Sequence, residues 1–205
     1  TQVGRLAERL REVGREVVTV RDPGGTILGE EVRRWIRGVD VARETELLLF
    51  AAARAELVTT AIKPSLKRGS VVIADRFSDS TVAYQGYARG IDLEVVRAVN
   101  EAAVGELTPS LTLLLDLPVE TGLARAGVHP QMRASKPAVG QLGFGLEEGA
   151  PAISREEEQG SRFERESLAF HRRVRSGFLK LAKSHPQRIL VLDSTKSEEE
   201  VTEAV

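Results

Sequence analysis

The sequence contains no cysteine, which excludes disulfides, thiolate metal sites and cysteine nucleophiles and suits a reducing compartment. Its three histidines, His129, His171 and His185, are scattered without ligand spacing, so nothing points to a structural zinc site. Neither sign of charge dominates: 29 Lys+Arg stand against 30 Asp+Glu, so duplex nucleic acid and an anionic membrane are not expected as partners, and any basic site must be local. No apolar run approaches the roughly 20 residues that span a bilayer, and no signal peptide is visible, so a cytoplasmic location is expected. Both common nucleotide fingerprints are also missing, since neither GxxxxGK[ST] nor a GxGxxG following a strand occurs anywhere in the chain.

What is present is an ordinary globular mixture, 41% hydrophobic and 29% charged over 205 residues, enough for one compact domain spanning 1–205. Four short continuous apolar runs, VVTV at 17–20, VVIA at 71–74, LTLLL at 111–115 and ILVL at 189–192, read as strands buried on both faces of a parallel sheet. Helical spacing of apolar residues over 26–37, 43–66, 93–104, 119–126 and 163–182 separates them. That alternation predicts βαβ units and a doubly wound α/β fold. The opening stretch TQVGRLAERLREVG is a further helix, with Val3, Leu6, Ala7, Leu10 and Val13 on one face and Gly14 at its end, although no strand or turn precedes it. A start without Met and a close in the acidic helical pattern SEEEVTEAV lead us to expect a chain clipped at both ends.

Each run exits into charge: Arg21-Asp22-Pro23, Asp75-Arg76, Asp116 and Asp193. One such Asp can be only a cap for the next helix, but four together predict a polar crevice at the carboxyl edge of the sheet, where open α/β folds bind ligands. The stretch 127–161, rich in Gly, Pro and charge and without periodicity, is expected to be a lid or binding loop.

Three segments carry candidate chemistry. In DRFSDSTVAYQG (75–86), Arg76 has the planar fork suited to a phosphate, and Asp75 can hold that Arg or a magnesium-bound water; the competing reading is a structural Asp-Arg pair. In LLLFAAARAEL (47–57), Phe50 and Arg54 lie one turn apart on a face opened by three alanines, a base platform on one reading and plain core on the other. In RDPGGT (21–26), the glycines let backbone approach a ligand and Thr26 can cap a helix.

Taken in order with IKPSLKRGSVVIADRFSDSTVAYQGYARGI, LTPSLTLLLDLPVETGLAR and SRFERESLAFHRRVRSGFLKLA, these segments resemble the thymidylate kinase family over nearly the whole chain. The resemblance implies a P-loop NTPase-type three-layer fold, with a mainly parallel sheet flanked by helices plus a lid, and phosphorylation of dTMP by ATP with Mg2+, in a homodimer. Carried over, Phe50 would stack on thymine, Arg54 would donate to its O4, and Thr81 and Gln85 would line the base pocket. Tyr84 would lie under the deoxyribose, and Arg76 would grip the dTMP phosphate. Asp75 would serve the transfer centre and its metal, and Glu164 would lie close to the sugar and phosphate. Arg162, Arg125 and Arg133 would be lid arginines near the transferring group and ATP. Thr1 and Gln2 would be the last letters of the family's P-loop. Three departures stand out: Asp22 replaces the Glu usual in bacterial relatives, the 127–161 stretch exceeds the family's lid, and the P-loop is not in the sequence. The rival readings are a non-catalytic nucleotide-binding module lacking its P-loop and a kinase for another pyrimidine monophosphate.

Overall fold

A computed structural model describes residues 2–127, 162, 163 and 166–205. The chain alternates helices and short strands: α1 (Gln2–Glu12), β1 (Val17–Arg21), α2 (Ile27–Gly38), α3 (Arg43–Leu57), α4 (Lys63–Lys67), β2 (Val71–Asp75), α5 (Ser78–Thr81), α6 (Leu93–Val104), β3 (Thr112–Asp116), α7 (Val119–Arg125), α8 (Leu168–Ser184), β4 (Ile189–Asp193) and α9 (Glu198–Ala204). Two wide π-helical segments, Val58–Ile62 and Val82–Ala88, continue α3 and α5. All four expected strands form, each reaching one residue further than its apolar run to include the charged exit residue. The long helix expected over 43–66 is present but broken in pitch at Val58, and that over 163–182 starts later, at Leu168, where Ser167 accepts from the Phe170 N–H.

Every ladder is parallel, and the strands form two pairs. Val17–Arg21 runs beside Val71–Asp75, and Thr112–Asp116 beside Ile189–Asp193. Among the described residues no ladder joins β2 to β3. Leu115, Leu190 and Val191 are 39%, 49% and 42% exposed, a departure from the sequence reading, which has all four runs buried on both faces.

The core is built where helices cover these pairs. Val20, Leu57, Val58, Ile62, Phe77 and Val104 pack over β1 and β2, with Val72 and Ala74 against them. A second cluster, Ala83, Ala88, Phe170 and Val174, brings α8 against the Val82–Ala88 segment. This contact joins the helices around β1 and β2 to the half carrying β3 and β4, and one glycine makes it possible. A Cβ at Gly177 would stand 2.8 Å from Cδ2 and 2.9 Å from Cβ of Tyr87, so only a residue without a side chain lets α8 approach this closely. Replacement Gly177→Val should therefore overpack the contact and destabilise the fold by about 1–3 kcal/mol, a fall of several degrees in Tm by calorimetry. An unchanged Tm would mean that α8 and Tyr87 do not hold this contact in solution.

Candidate functional site

The site is organised around β1, whose last residue leads into Asp22-Pro23-Gly24-Gly25. Gly25 adopts φ +72°, and its N–H donates to Glu30 Oε1 at 2.9 Å, while Thr26 caps α2 by accepting from the Gly29 N–H. Asp22 is thereby turned inward and is 2% exposed. Its Oδ2 accepts from Arg54 Nε at 2.5 Å, and its Oδ1 is buried without a hydrogen-bond partner. Burial pushes the Asp22 carboxyl above its usual range, opposed by the charges of Arg54 and Arg76.

Arg54 comes from α3 and is 1% exposed. Besides Asp22 it donates through Nη1 to Asn100 Oδ1 and through Nη2 to Thr81 Oγ1, both at 2.7 Å, and its Cζ stands 5.7 Å from the Phe77 ring centroid. Four elements thus meet at one guanidinium. A second polar knot lies two turns earlier on α3. Glu46, 1% exposed, accepts from Gln85 Nε2 at 2.8 Å, from Arg89 Nε and Nη2 at 3.2 Å, and from Arg162 Nη2.

Between the knots opens a cavity of about 210 Å³. Phe50, Arg54, Arg76, Thr81, Tyr84 and Gln85 all line it, joined by Asp22 and by Arg33 and Arg37 of α2. Phe163 closes one side, its ring centroid 6.1 Å from Phe50 and 5.8 Å from Tyr84, edge-on to the latter. Arg76 directs its Cζ to 5.2 Å from the Tyr84 ring centroid, and Tyr84 raises its pKa further. The Arg76 backbone is left-handed, φ +71°, unlike any other non-glycine residue among those described. The arrangement offers four cations, Arg33, Arg37, Arg54 and Arg76, an aromatic wall and a set of amide and hydroxyl groups. It suits a planar base attached to a phosphate.

The remaining candidates fall elsewhere. Asp75, at the end of β2, is exposed beside Arg76. Arg162, expected over the transferring phosphate, is paired with the buried carboxylate of Glu46 and reaches Asp40 at 3.7 Å. Arg125, expected near ATP, spends its guanidinium on the carbonyls of Ser194 and Thr195, at 2.8 and 3.3 Å. Thr1, Arg133, Glu164 and most of the 127–161 stretch lie outside the described residues. Of the four strand-exit carboxylates expected in one crevice, Asp116 is held bidentately by Arg175 and Asp193 accepts from the N–H and hydroxyl of Thr195, which is the local turn reading. Among the described residues no cluster of three or more His, Asp or Glu forms a metal cage. Glu46, Asn100 and Phe163 were not singled out in the sequence, although Glu46, Phe50 and Arg54 share a spacing of four along α3.

These features can be set beside known proteins. A family model described as thymidylate kinase matches residues 1–139. A thymidylate kinase of Syntrophotalea carbinolica is 45% identical over 204 residues, covering 98% of this chain and 84% of that protein. One of Thermomicrobium roseum is 44% identical over 206 residues, covering 100% and 85%. Among solved structures, thymidylate kinase from Ehrlichia chaffeensis superposes with a TM-score of 0.69 at 30% identity, covering 99% of this chain and 86% of that one. With the family model spanning more than half of the sequence and these relatives spanning nearly all of it, the chain belongs to the thymidylate kinase family.

Proposed function

We propose that the protein phosphorylates dTMP to dTDP with ATP, and that the cavity beside Arg54 and Arg76 takes dTMP. The observation carrying this reading is the convergence on one 210 Å³ cavity of an aromatic wall, a buried guanidinium and a second guanidinium facing the open side. Phe50 stacks on thymine, Arg54 donates to its O4, Thr81 and Gln85 frame the ring, Tyr84 supports the deoxyribose, and Arg76 holds the phosphate. The relatives' names favour neither a non-catalytic module nor a kinase of another pyrimidine.

Phosphoryl transfer between two anions is catalysed by positioning and charge neutralisation, and no nucleophilic side chain is needed. Arg76 neutralises the acceptor phosphate and fixes its oxygen for in-line attack. Asp75, an exposed oxygen donor next to Arg76, would hold a Mg2+ ion, whose chemistry would be charge neutralisation on the transferring group. ATP binds at the carboxyl edge of β3 and β4, where Arg125 braces the loop after Asp193. We place the protein in the cytoplasm; no helix among the described residues is long and apolar enough to cross a membrane. A second copy covers the outer faces of α2, α3 and α6, where Trp35, Leu48 and Val95 are 50%, 58% and 50% exposed on neighbouring helices.

In the full-length protein, Arg76→Ala should abolish dTMP phosphorylation with little change in Tm, and turnover within a few-fold of wild type would remove Arg76 from the phosphate site. Tyr84→Gly should relax discrimination between dTMP and its ribonucleotide counterpart in steady-state competition; unchanged selectivity would sink the sugar assignment. Leu48→Glu should convert a dimer to a monomer in sedimentation equilibrium, whereas wild type sedimenting as a monomer would refute the dimer.

A further inference from the structure

Behind the Gln85 wall of the cavity lies a carboxylate that phosphoryl transfer does not use. Glu46 is almost wholly buried between Arg89, Arg162 and Gln85, and it is a single turn of α3 away from Phe50. As a carboxylate it can only accept hydrogen bonds, so the side-chain amide of Gln85 must turn its NH2 group toward it, as the 2.8 Å contact records. This is the one side-chain hydrogen bond of Gln85 among the described residues, and Gln85 is itself a cavity wall. The group it leaves for a ligand is its carbonyl oxygen, an acceptor.

The opposite rung is a donor. Arg54 commits three of its five N–H groups to Asp22, Asn100 and Thr81, and it has no acceptor to offer. The two rungs, Glu46 with Gln85 and Arg54 with Thr81, bridge α3 to the helical turns of residues 78–88, and Phe50 lies midway between them on α3. A ring stacked on Phe50 therefore meets a fixed acceptor on one side and a fixed donor on the other. Thymine and uracil present N3–H and O4, a donor beside an acceptor, and match this pair. Cytosine presents a bare N3 beside an amino group and meets it with both signs reversed. An unrestrained glutamine would rotate its amide and serve either ring, because its two ends are nearly equal in shape.

We propose that Glu46 is a positioning residue for base selection: by holding Gln85 through its nitrogen, it fixes the acceptor that admits a pyrimidine protonated at N3 and turns cytosine away. The inference rests on the reading of this cavity as the dTMP site. It also gives Glu46 a role distinct from bracing Arg89 and Arg162, since bracing has no preference among bases.

Titration calorimetry of the full-length protein with dTMP, dUMP and dCMP tests it. Glu46→Gln keeps the shape but offers an amide that accepts either orientation of Gln85. The preference for dTMP over dCMP should fall at least about tenfold while the ratio of dTMP to dUMP stays constant. The exchange of both groups, Glu46→Gln with Gln85→Glu, puts an obligate acceptor on the cavity wall and should restore the preference. Should Glu46→Gln melt too low to titrate, Gln85→Leu, which removes the acceptor, should weaken dTMP and dUMP about tenfold and strengthen dCMP. Equal weakening of all three nucleotides, or an unaltered preference, overturns the proposal and leaves the dTMP reading standing. Wild-type protein that binds dCMP as well as dTMP overturns both.

Discussion

A guanidinium cannot be buried to 1% exposure unless nearly every direction around it is answered, because an unpaired charge in the interior costs several kcal/mol. Arg54 is answered by Asp22 from the end of β1, Thr81 from α5 and Asn100 from α6, and it is itself carried by α3. The packing of those four elements and the chemistry of the cavity are thus one constraint. Removing any partner would leave a buried charge short of a hydrogen bond, a loss of about 3–5 kcal/mol when the ion pair itself is broken. The same rigidity gives the cavity a donor in a fixed place before any ligand arrives, which lowers the ordering cost of binding.

Charge elsewhere obeys the same rule in a weaker medium. Arg188 holds Asp79 of α5 bidentately at 2.7 Å, and Arg175 holds Asp116 at the end of β3. These pairs are partly open to solvent, so screening leaves each worth little on its own. What they do is settle which carboxylates stay available. With Asp116 and Asp193 committed and Asp22 buried on Arg54, Asp75 is the exit acid left exposed beside Arg76.

The strands and most helices were legible in the sequence because their signal is local. A continuous apolar run with a charged exit, or apolar residues at helical spacing before a glycine, survives in one dimension. Phe50 with Arg54, and Thr81 with Tyr84 and Gln85, could be paired by spacing for the same reason. Which neighbour each strand finds could not be read, since apolar runs of equal length do not say so. Glu46 was missed because an acid in RETELLLF looks like a solvated helix start, and only the arrival of Arg89, Arg162 and Gln85 from other parts of the chain makes it interior. Arg162 was expected over the transferring phosphate on the resemblance alone, and its partner here, Glu46, lies 116 residues away in the chain.

The backbone of Arg76 sets a limit on how this protein can be improved. A side chain at φ +71° sits in a region that L-residues enter at a cost of about 1–2 kcal/mol, and a glycine there would relax it. Any search for thermostable variants is therefore drawn toward deleting the cation that faces the cavity. Selection for heat resistance alone would reward loss of the proposed phosphate-binding cation, so laboratory evolution of the enzyme needs activity in the screen from the first round.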